Sequence, residues 1–405
     1  MKVAVMGYGT VGSGVVEVIE NHKRVITKRT DGDMLEVSHI LDLRDFPGDS
    51  HEALFTKDFN DILNDDEVKV VAETMGGINP AYDFTMKLIK AGKSVVTSNK
   101  ELVAQKGLEL LNAARENGVN YLFEASVGGG IPIIRPMDQC LAANNIEGIA
   151  GILNGTTNFI LTKMIEEDMS FASALKLAQA NGYAEKDPTA DIEGFDACRK
   201  VCILASLAFG KHVYPNQVET EGITSITLED VAYIASVHGV IKLLGQISYI
   251  SENEIAAFVS PAVVFHPSQL ASVNDVFNAI LVRGDAVGDV CFYGPGAGKL
   301  PTASAVVADM VDAAKHTQRR KIFGWGEGSE SYVVDHKEVI ISQFYVRARA
   351  DEGEIKRIFG DVKLLNRYGK PAGEVAFITD KMNEYTLEKK LEGVNVINTI
   401  RITNY

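Results

Sequence analysis

No apolar run in this sequence reaches the length of a membrane span, and the first one, Val3 to Met6, is too short for the apolar region of a signal peptide. The chain is therefore expected to stay in the cytoplasm, with no membrane partner. Positive charge is also in short supply: 40 Lys and Arg stand against 54 Asp and Glu, giving a formal net charge of −14. No Lys/Arg cluster stands apart from acidic neighbours, so nothing offers to neutralise a phosphate backbone, which argues against DNA or RNA as a partner. Cysteine is scarce too. Cys140, Cys198, Cys202 and Cys291 lack zinc-ligand spacing, and Cys198 and Cys202 lie one helical turn apart among alanine and aliphatic residues, so four buried thiols are expected. Internal repeats and low-complexity tracts are likewise absent.

What is there suffices for more than one folded domain, with 405 residues of which 46% are hydrophobic. Residues 1 to 130 alternate short β-branched runs (2–6, 37–43, 68–72, 94–97, 120–124) with helical patterns (12–21, 82–91), the mark of a parallel sheet with crossover helices. Residues 131 to 318 mix long apolar-periodic helices (170–181, 195–209, 228–239) with strand-like stretches (146–153, 255–264, 278–282, 289–293). This predicts an inserted α+β domain, with the helix 302–316 packing back on the first one. Residues 321–336, carrying Gly324, Gly326 and Gly328, read as a linker. The last unit, 340–405, reads as strand 339–348, helix 353–359, strand 361–368, strand 374–379, helix 384–392 and strand 395–403, a βαββαβ sandwich. The fold class is thus α/β: a Rossmann-type N-terminal sheet, an α+β middle domain and a small C-terminal domain.

The first strand runs into Gly7-Tyr8-Gly9-Thr10-Val11-Gly12 and a helix follows at once. In that context the GxGxxG pattern predicts a dinucleotide site: Gly7 for the tight turn, Gly9 for backbone approach to a pyrophosphate, Gly12 for close packing of helix on strand. The helix N-terminus would supply N–H groups and partial positive charge. Ribose selectivity rests on Leu41-Asp42-Leu43-Arg44-Asp45. With Asp42 turned into the flank of the sheet and Arg44 just past the strand end, the 2′-phosphate of NADP is favoured, and the reverse register favours NAD. Of the two, NADP is preferred.

Residues 181–200 hold five carboxylates and three basic residues where a loop enters a helix. Asp196 and Lys200, four apart, project from one helix face. The helix continues as Val201-Cys202-Ile203-Leu204-Ala205, so this face is expected to open on a partly enclosed space rather than to carry an ordinary surface ion pair. A lysine beside a carboxylate in a cleft can exchange a proton with a substrate alcohol as its hydride leaves.

Six ordered blocks now carry a resemblance: GYGTVG at 7–12, TSNKELVA at 97–104, FEASVGGGIPIIRP at 123–136, GILNGTTNFILT at 151–162, GYAEKDPTADIEGFDACRK at 182–200 and YGPGAGKLPTASAVVAD at 293–309. From Met1 to about His316 the chain resembles the homoserine dehydrogenases. The resemblance implies interconversion of L-homoserine and L-aspartate 4-semialdehyde with NAD(P)(H), in threonine, methionine and isoleucine biosynthesis, by a homodimer or homotetramer. It implies Lys200 as proton donor and acceptor, with Asp196 tuning its charge and orientation, and Lys100 between nicotinamide and substrate. Glu185 would bind the α-amino group, with Asp191, Gly155, Thr156 and Tyr183 completing the pocket, Thr156 through its hydroxyl or N–H. Cofactor contacts would fall to Gly7, Gly9, Thr10, Val11, Gly12, Arg44, Thr74, Ser98 and Lys100. A sodium ion is implied on the main-chain oxygens of Glu124, Val127, Gly129 and Ile131, a donor set suited to a hard cation. The middle domain would bind substrate and dimerise. None of the four cysteines stands in a nucleophile context, which sets the chain apart from aspartate-semialdehyde dehydrogenases. Residues 340–405 resemble an ACT domain but depart from it at Asp351-Glu352-Gly353 and in a short first helix; threonine is the effector implied, subunit contact the other role. Two rival functions stand beside this one: a nucleotide-dependent sensor without turnover, and a dehydrogenase of another small hydroxy- or keto-amino acid.

Overall fold

The computed structural model describes residues 1–317, 321, 323 and 325–405; the expected domain boundary at 318 and the linker residue Gly324 lie outside the described residues. The chain forms two compact units, one of residues 1–143, 202–215 and 294–328, the other of 144–201, 216–293 and 329–405.

The first unit is built on six strands, β1 (Lys2–Met6), β2 (Glu36–Leu41), β3 (Phe55–Thr56), β4 (Val68–Glu73), β5 (Ser94–Thr97) and β6 (Tyr121–Leu122). They lie in the order β3-β2-β1-β4-β5-β6 and every neighbouring pair is parallel. Val3, Ala4, Val5 and Met6 are fully buried, as a central parallel strand covered on both faces requires. Chain connections leave β1 in opposite directions, toward β2 and toward β4, so a crevice opens at the carboxyl ends of these strands. The helix Lys299–Lys315 packs on the helix Thr10–Asn21 and on β4.

The second unit holds β7 (Ile146–Ile152), β8 (Glu219–Thr220), β9 (Gly239–Ser251), β10 (Glu254–Phe265), β11 (Phe277–Gly284) and β12 (Gly288–Pro295). It continues through β13 (Phe344–Arg349), the helix Glu352–Phe359, β14 (Lys363–Leu365), β15 (Glu374–Ile378), the helix Glu384–Lys390 and β16 (Asn395–Ile402), a βαββαβ order. The sheet runs β12-β11-β7-β9-β10-β16-β13-β15-β14, with β8 beside β10. Mixed α/β architecture with an N-terminal parallel sheet and a second sheet is therefore as the sequence indicates.

The division of the chain differs from the three expected domains. Strand β16 pairs with β10 at Ala262↔Arg401 and Val263↔Ile402, so the C-terminal strands extend the preceding sheet instead of forming a separate body. The helix expected at 228–239 ends at Ala235, and Gly239–Ser251 is a strand. The expectation of four buried thiols is corrected: Cys198 and Cys202 are buried, but Cys291 on β12 is half-buried and Cys140, where the short helix Pro136–Cys140 ends, is exposed. Among the described residues no helix is long and apolar enough to cross a membrane.

Candidate active site

The turn after β1 is shaped by its glycines. Gly7 has φ +90°, a left-handed backbone that side chains rarely adopt, and its N–H donates to the carbonyl of Leu41 at 2.8 Å. A Cβ on Gly12 would stand 1.8 Å from the carbonyl oxygen of Gly7, so only glycine lets the helix Thr10–Asn21 start this close to the strand. A Cβ on Gly9 would meet nothing within 4 Å, which leaves open space over the turn. Gly9 is also the N-cap and provides no side-chain cap, so the first-turn N–H groups at Thr10 and Val11 gain no partner from it. Thr74 braces the turn from below: its hydroxyl lies 3.0 Å from the Met6 carbonyl and 2.8 Å from that of Gly7.

Past the end of β2, Asp42 accepts the Tyr8 N–H at 2.8 Å and the Arg44 guanidinium at 3.0 and 2.8 Å. That guanidinium holds the Asp42 carboxyl well below the usual carboxylate range. The Asp42 side chain is 9% exposed and that of Arg44 61%.

At the carboxyl ends of β4 and β5, sequence reasoning missed Glu73. It is fully buried, and burial pushes its carboxyl up, although the Thr97 hydroxyl at 2.6 Å and the Met75 N–H at 2.8 Å both donate to it. Glu73 thereby ties the two loops that follow these strands, including Ser98, whose N–H reaches the Glu73 carbonyl at 3.4 Å. An acidic residue closing the apolar run Val70-Val71-Ala72 of β4 was the available signal. Asn99 caps the helix Lys100–Asn117, which places Lys100 in its first turn.

The helix Phe195–Phe209, of which residues 195–201 belong to the second unit, carries Asp196 and Lys200 one turn apart. Their Oδ2 and Nζ are 2.7 Å apart, and the side chains are only 6% and 9% exposed, so the pair is buried where a surface ion pair would be screened. Nζ also donates to the Leu153 carbonyl at 2.6 Å. The next residue, Asn154, binds both Asp191 Oδ1 at 2.7 Å and Asp196 Oδ2 at 3.0 Å through Nδ2. The Thr156 hydroxyl donates to the Tyr183 carbonyl at 2.6 Å, which leaves its N–H, in the first turn of the helix Gly155–Glu166, as the donor for a ligand. The structure thus joins Lys200, Asp196 and Asp191 through Asn154, and Thr156 with Tyr183. Glu185 is exposed on the connecting loop and, among the described residues, its carboxylate makes no hydrogen bond to this cluster.

Residues Glu124–Ser126 form a single 3-10 turn. The Glu124 carboxylate accepts the N–H groups of Ile133, Ile134 and Arg135 at 2.6, 2.8 and 2.9 Å, so it is spent inside the protein. Among the described residues, no backbone hydrogen bond between elements ends on the main-chain oxygens of Val127, Gly129 or Ile131. Asp309, ion-paired with Arg135 at 2.8 Å, lies beneath this loop and accepts the Glu124 N–H at 2.8 Å. Burial pushes its carboxyl up to about 7.

Comparison with known proteins gives the same family throughout. A family model described as homoserine dehydrogenase, NAD binding domain, matches residues 7–124, and one described as homoserine dehydrogenase matches 132–311. The homoserine dehydrogenase of Bacillus subtilis (strain 168) is 41% identical over 320 residues, 78% of this chain and 73% of that protein. That of Pseudomonas aeruginosa is 44% identical over 316 residues, 78% of this chain and 72% of its own length. The crystal structure of a homoserine dehydrogenase from Thiobacillus denitrificans superposes with a TM-score of 0.90 at 36% identity, covering 100% of this chain and 98% of that one. A hyperthermophilic archaeal homoserine dehydrogenase mutant in complex with NADPH gives 0.65 at 29% identity, over 77% of this chain and 97% of that one.

Proposed function

Because this chain belongs to the homoserine dehydrogenase family, an oxidoreductase family, we propose that it interconverts L-homoserine and L-aspartate 4-semialdehyde with a nicotinamide dinucleotide. The observation that carries the reading is the buried Lys200–Asp196 pair at 2.7 Å, tied through Asn154 to Asp191. A sensor without turnover gains nothing from a desolvated ammonium held on a carboxylate, whereas hydride addition to an aldehyde needs a group that gives a proton to the alkoxide formed, and the neutral amine left behind can take that proton back in the oxidative direction.

The Gly7–Gly12 turn fits a pyrophosphate: the turn is glycine-shaped, the space above Gly9 is open and the helix behind it begins without a side-chain cap. When bound there, the nicotinamide accepts or returns the hydride. NADP is the cofactor proposed, because the Asp42 carboxylate is already taken by the Tyr8 N–H and Arg44, while the Arg44 guanidinium is largely exposed beyond the strand end and keeps donors for a 2′-phosphate.

Lys200 holds the proton exchanged with the substrate oxygen, and Asp196 keeps its ammonium in place and balances its charge. Asp191 and the exposed Glu185 supply anionic acceptors for the substrate ammonium, and the N–H groups of Gly155 and Thr156 face its carboxylate, a match of helix N-terminus to anion. Lys100 adds a cation in the first turn of its helix. The main-chain oxygens of Val127, Gly129 and Ile131, with that of Glu124, suit a sodium ion, which would hold this loop in shape without entering the chemistry. Following nicotinamide absorbance with homoserine and each of NAD+ and NADP+ tests the proposal. Reduction with homoserine and none with other small hydroxy-amino acids is expected; no reduction with either cofactor would refute it.

A further inference from the structure

Asn154 stands at the start of the helix Gly155–Glu166, where an asparagine ordinarily serves as a cap. It does so here: Oδ1 accepts the Thr157 N–H at 2.8 Å and the Thr157 hydroxyl at 3.1 Å. Its Nδ2 does something a cap does not require. The two N–H donors go to two different carboxylates, Asp191 Oδ1 at 2.7 Å and Asp196 Oδ2 at 3.0 Å. Every donor and acceptor of the amide is therefore used, and the network dictates its orientation, since a flipped amide would turn its oxygen against both carboxylates.

Two carboxylates that share one amide nitrogen repel each other, and the donor that lies between them offsets part of that repulsion. One of them, Asp196, accepts from Lys200 on the same oxygen, Oδ2, that accepts from Asn154. Lys200 is held from its other side by the carbonyl of Leu153, the residue before Asn154. Residues 153 and 154 thus grip both members of the ion pair from one strand end. Resting on the reaction proposed above, we propose that Asn154 is a positioning residue: it holds the Asp191 and Asp196 carboxylates together and, through Asp196, sets where the Lys200 ammonium meets the substrate oxygen. Asparagine alone combines a capping acceptor with two donors at this reach; aspartate keeps the cap and loses the donors, and serine keeps a shorter cap and reaches neither carboxylate.

Two variants of the full chain separate this role from capping. Asn154→Ser is expected to lower kcat by about 10- to 100-fold, the usual cost of losing a partner that orients a reacting group, with the KM for the nicotinamide cofactor unchanged. Asn154→Asp adds a negative charge beside the pair and is expected to move the titration limb of kcat assigned to Lys200 upward by about one unit or more. A capping residue whose side chain did not reach the pair would leave that limb where it was. The same shift is readable without substrate from the 13Cε resonance of Lys200 in lysine-labelled protein, identified by its loss in Lys200→Arg. A limb and resonance that titrate in Asn154→Asp as in the parent overturn the proposal. So does a folded Asn154→Ser with kcat within about twofold of the parent, which decides the matter if the aspartate variant does not fold. A shifted Lys200 resonance in a parent that never oxidises homoserine would sink the proposed reaction and keep the positioning role.

Discussion

Replacing Lys200 by methionine separates what its ammonium does for folding from what it does for turnover. Methionine fills much the same volume, so packing is largely preserved, but Asp196, with a side chain 6% exposed, loses the ammonium at 2.7 Å while keeping the Asn154 amide among its partners. Removing one member of a buried ion pair costs about 3–5 kcal/mol, most of it the burden of the stranded charge. In the double variant Lys200→Met with Asp196→Asn that charge is gone, so the second substitution should restore stability instead of adding to the loss. Urea unfolding of the parent, both single variants and the double one measures the cycle, and a favourable interaction of at least about 1 kcal/mol between the two substitutions is expected. Turnover behaves otherwise. Loss of the proton carrier costs about 100- to 10,000-fold in kcat, and the double variant stays as slow as Lys200→Met because its recovered stability returns no proton carrier. Cofactor affinity, read from nicotinamide fluorescence, should stay within about threefold of the parent. A folded Lys200→Met that keeps kcat within tenfold, or a double variant less stable than the sum of its parts, would refute the assignment of Lys200 and the picture of a buried, mutually dependent pair.

Arg44→Ala should lower kcat/KM for NADP+ by about 10- to 100-fold and leave NAD+ nearly unaffected, since one or two charge-assisted bonds to the 2′-phosphate are lost; equal losses with both cofactors would count against NADP selection by Arg44. Gly12→Ala drives a methyl group into the Gly7 carbonyl, 1.8 Å away; dinucleotide binding by calorimetry should disappear and stability fall by about 1–3 kcal/mol, and an alanine variant with parental affinity would refute the close-packing reading. His212, buried, accepts the indole N–H of Trp325 on Nδ1 at 2.9 Å, and burial holds its pKa down at about 4 from 6.5. The folded protein thus keeps it neutral while the unfolded chain takes up a proton near 6.5, so stability is lost as pH falls from about 6.5 to about 4, by at most about 3 kcal/mol. Trp325 is the sole tryptophan, so its fluorescence follows unfolding directly, and His212→Gln should flatten stability across that window; a slope equal to the parent's would show that other groups carry it.

The parts of the molecule legible from sequence are those whose cause is local. The turn at Gly7–Gly12 announces itself because glycine is needed where φ is positive or a carbonyl crowds in, and the helix Phe195–Phe209 follows from an apolar run with a breaker at Gly194. Strand β9 escaped because it is covered along most of its length: Ile241 through Ile247 are all buried, including Lys242 and Gln246, so there is no alternation to read. The joining of β16 to β10 pairs residues about 140 apart in sequence, a relation that no local pattern encodes. At the site, the spacing of Asp196 and Lys200 was sufficient to place them on one face. The bridging by Asn154 was not readable, because an asparagine before a helix looks like a cap and nothing in the sequence says where its other end points. Glu185 was named only through the family resemblance, and its exposed carboxylate shows why: among the described residues no hydrogen bond to the Lys200 cluster marks it.

Strand β16 is also the reason the C-terminal segment cannot be treated as a detachable accessory. A chain ending ahead of β13 would uncover the backbone of β10 at Ala262 and Val263 and present a raw sheet margin to any other extended peptide, a known route to self-association. The last sixty residues act as a selvedge, finishing the fabric of the second unit so that it does not fray into its neighbours.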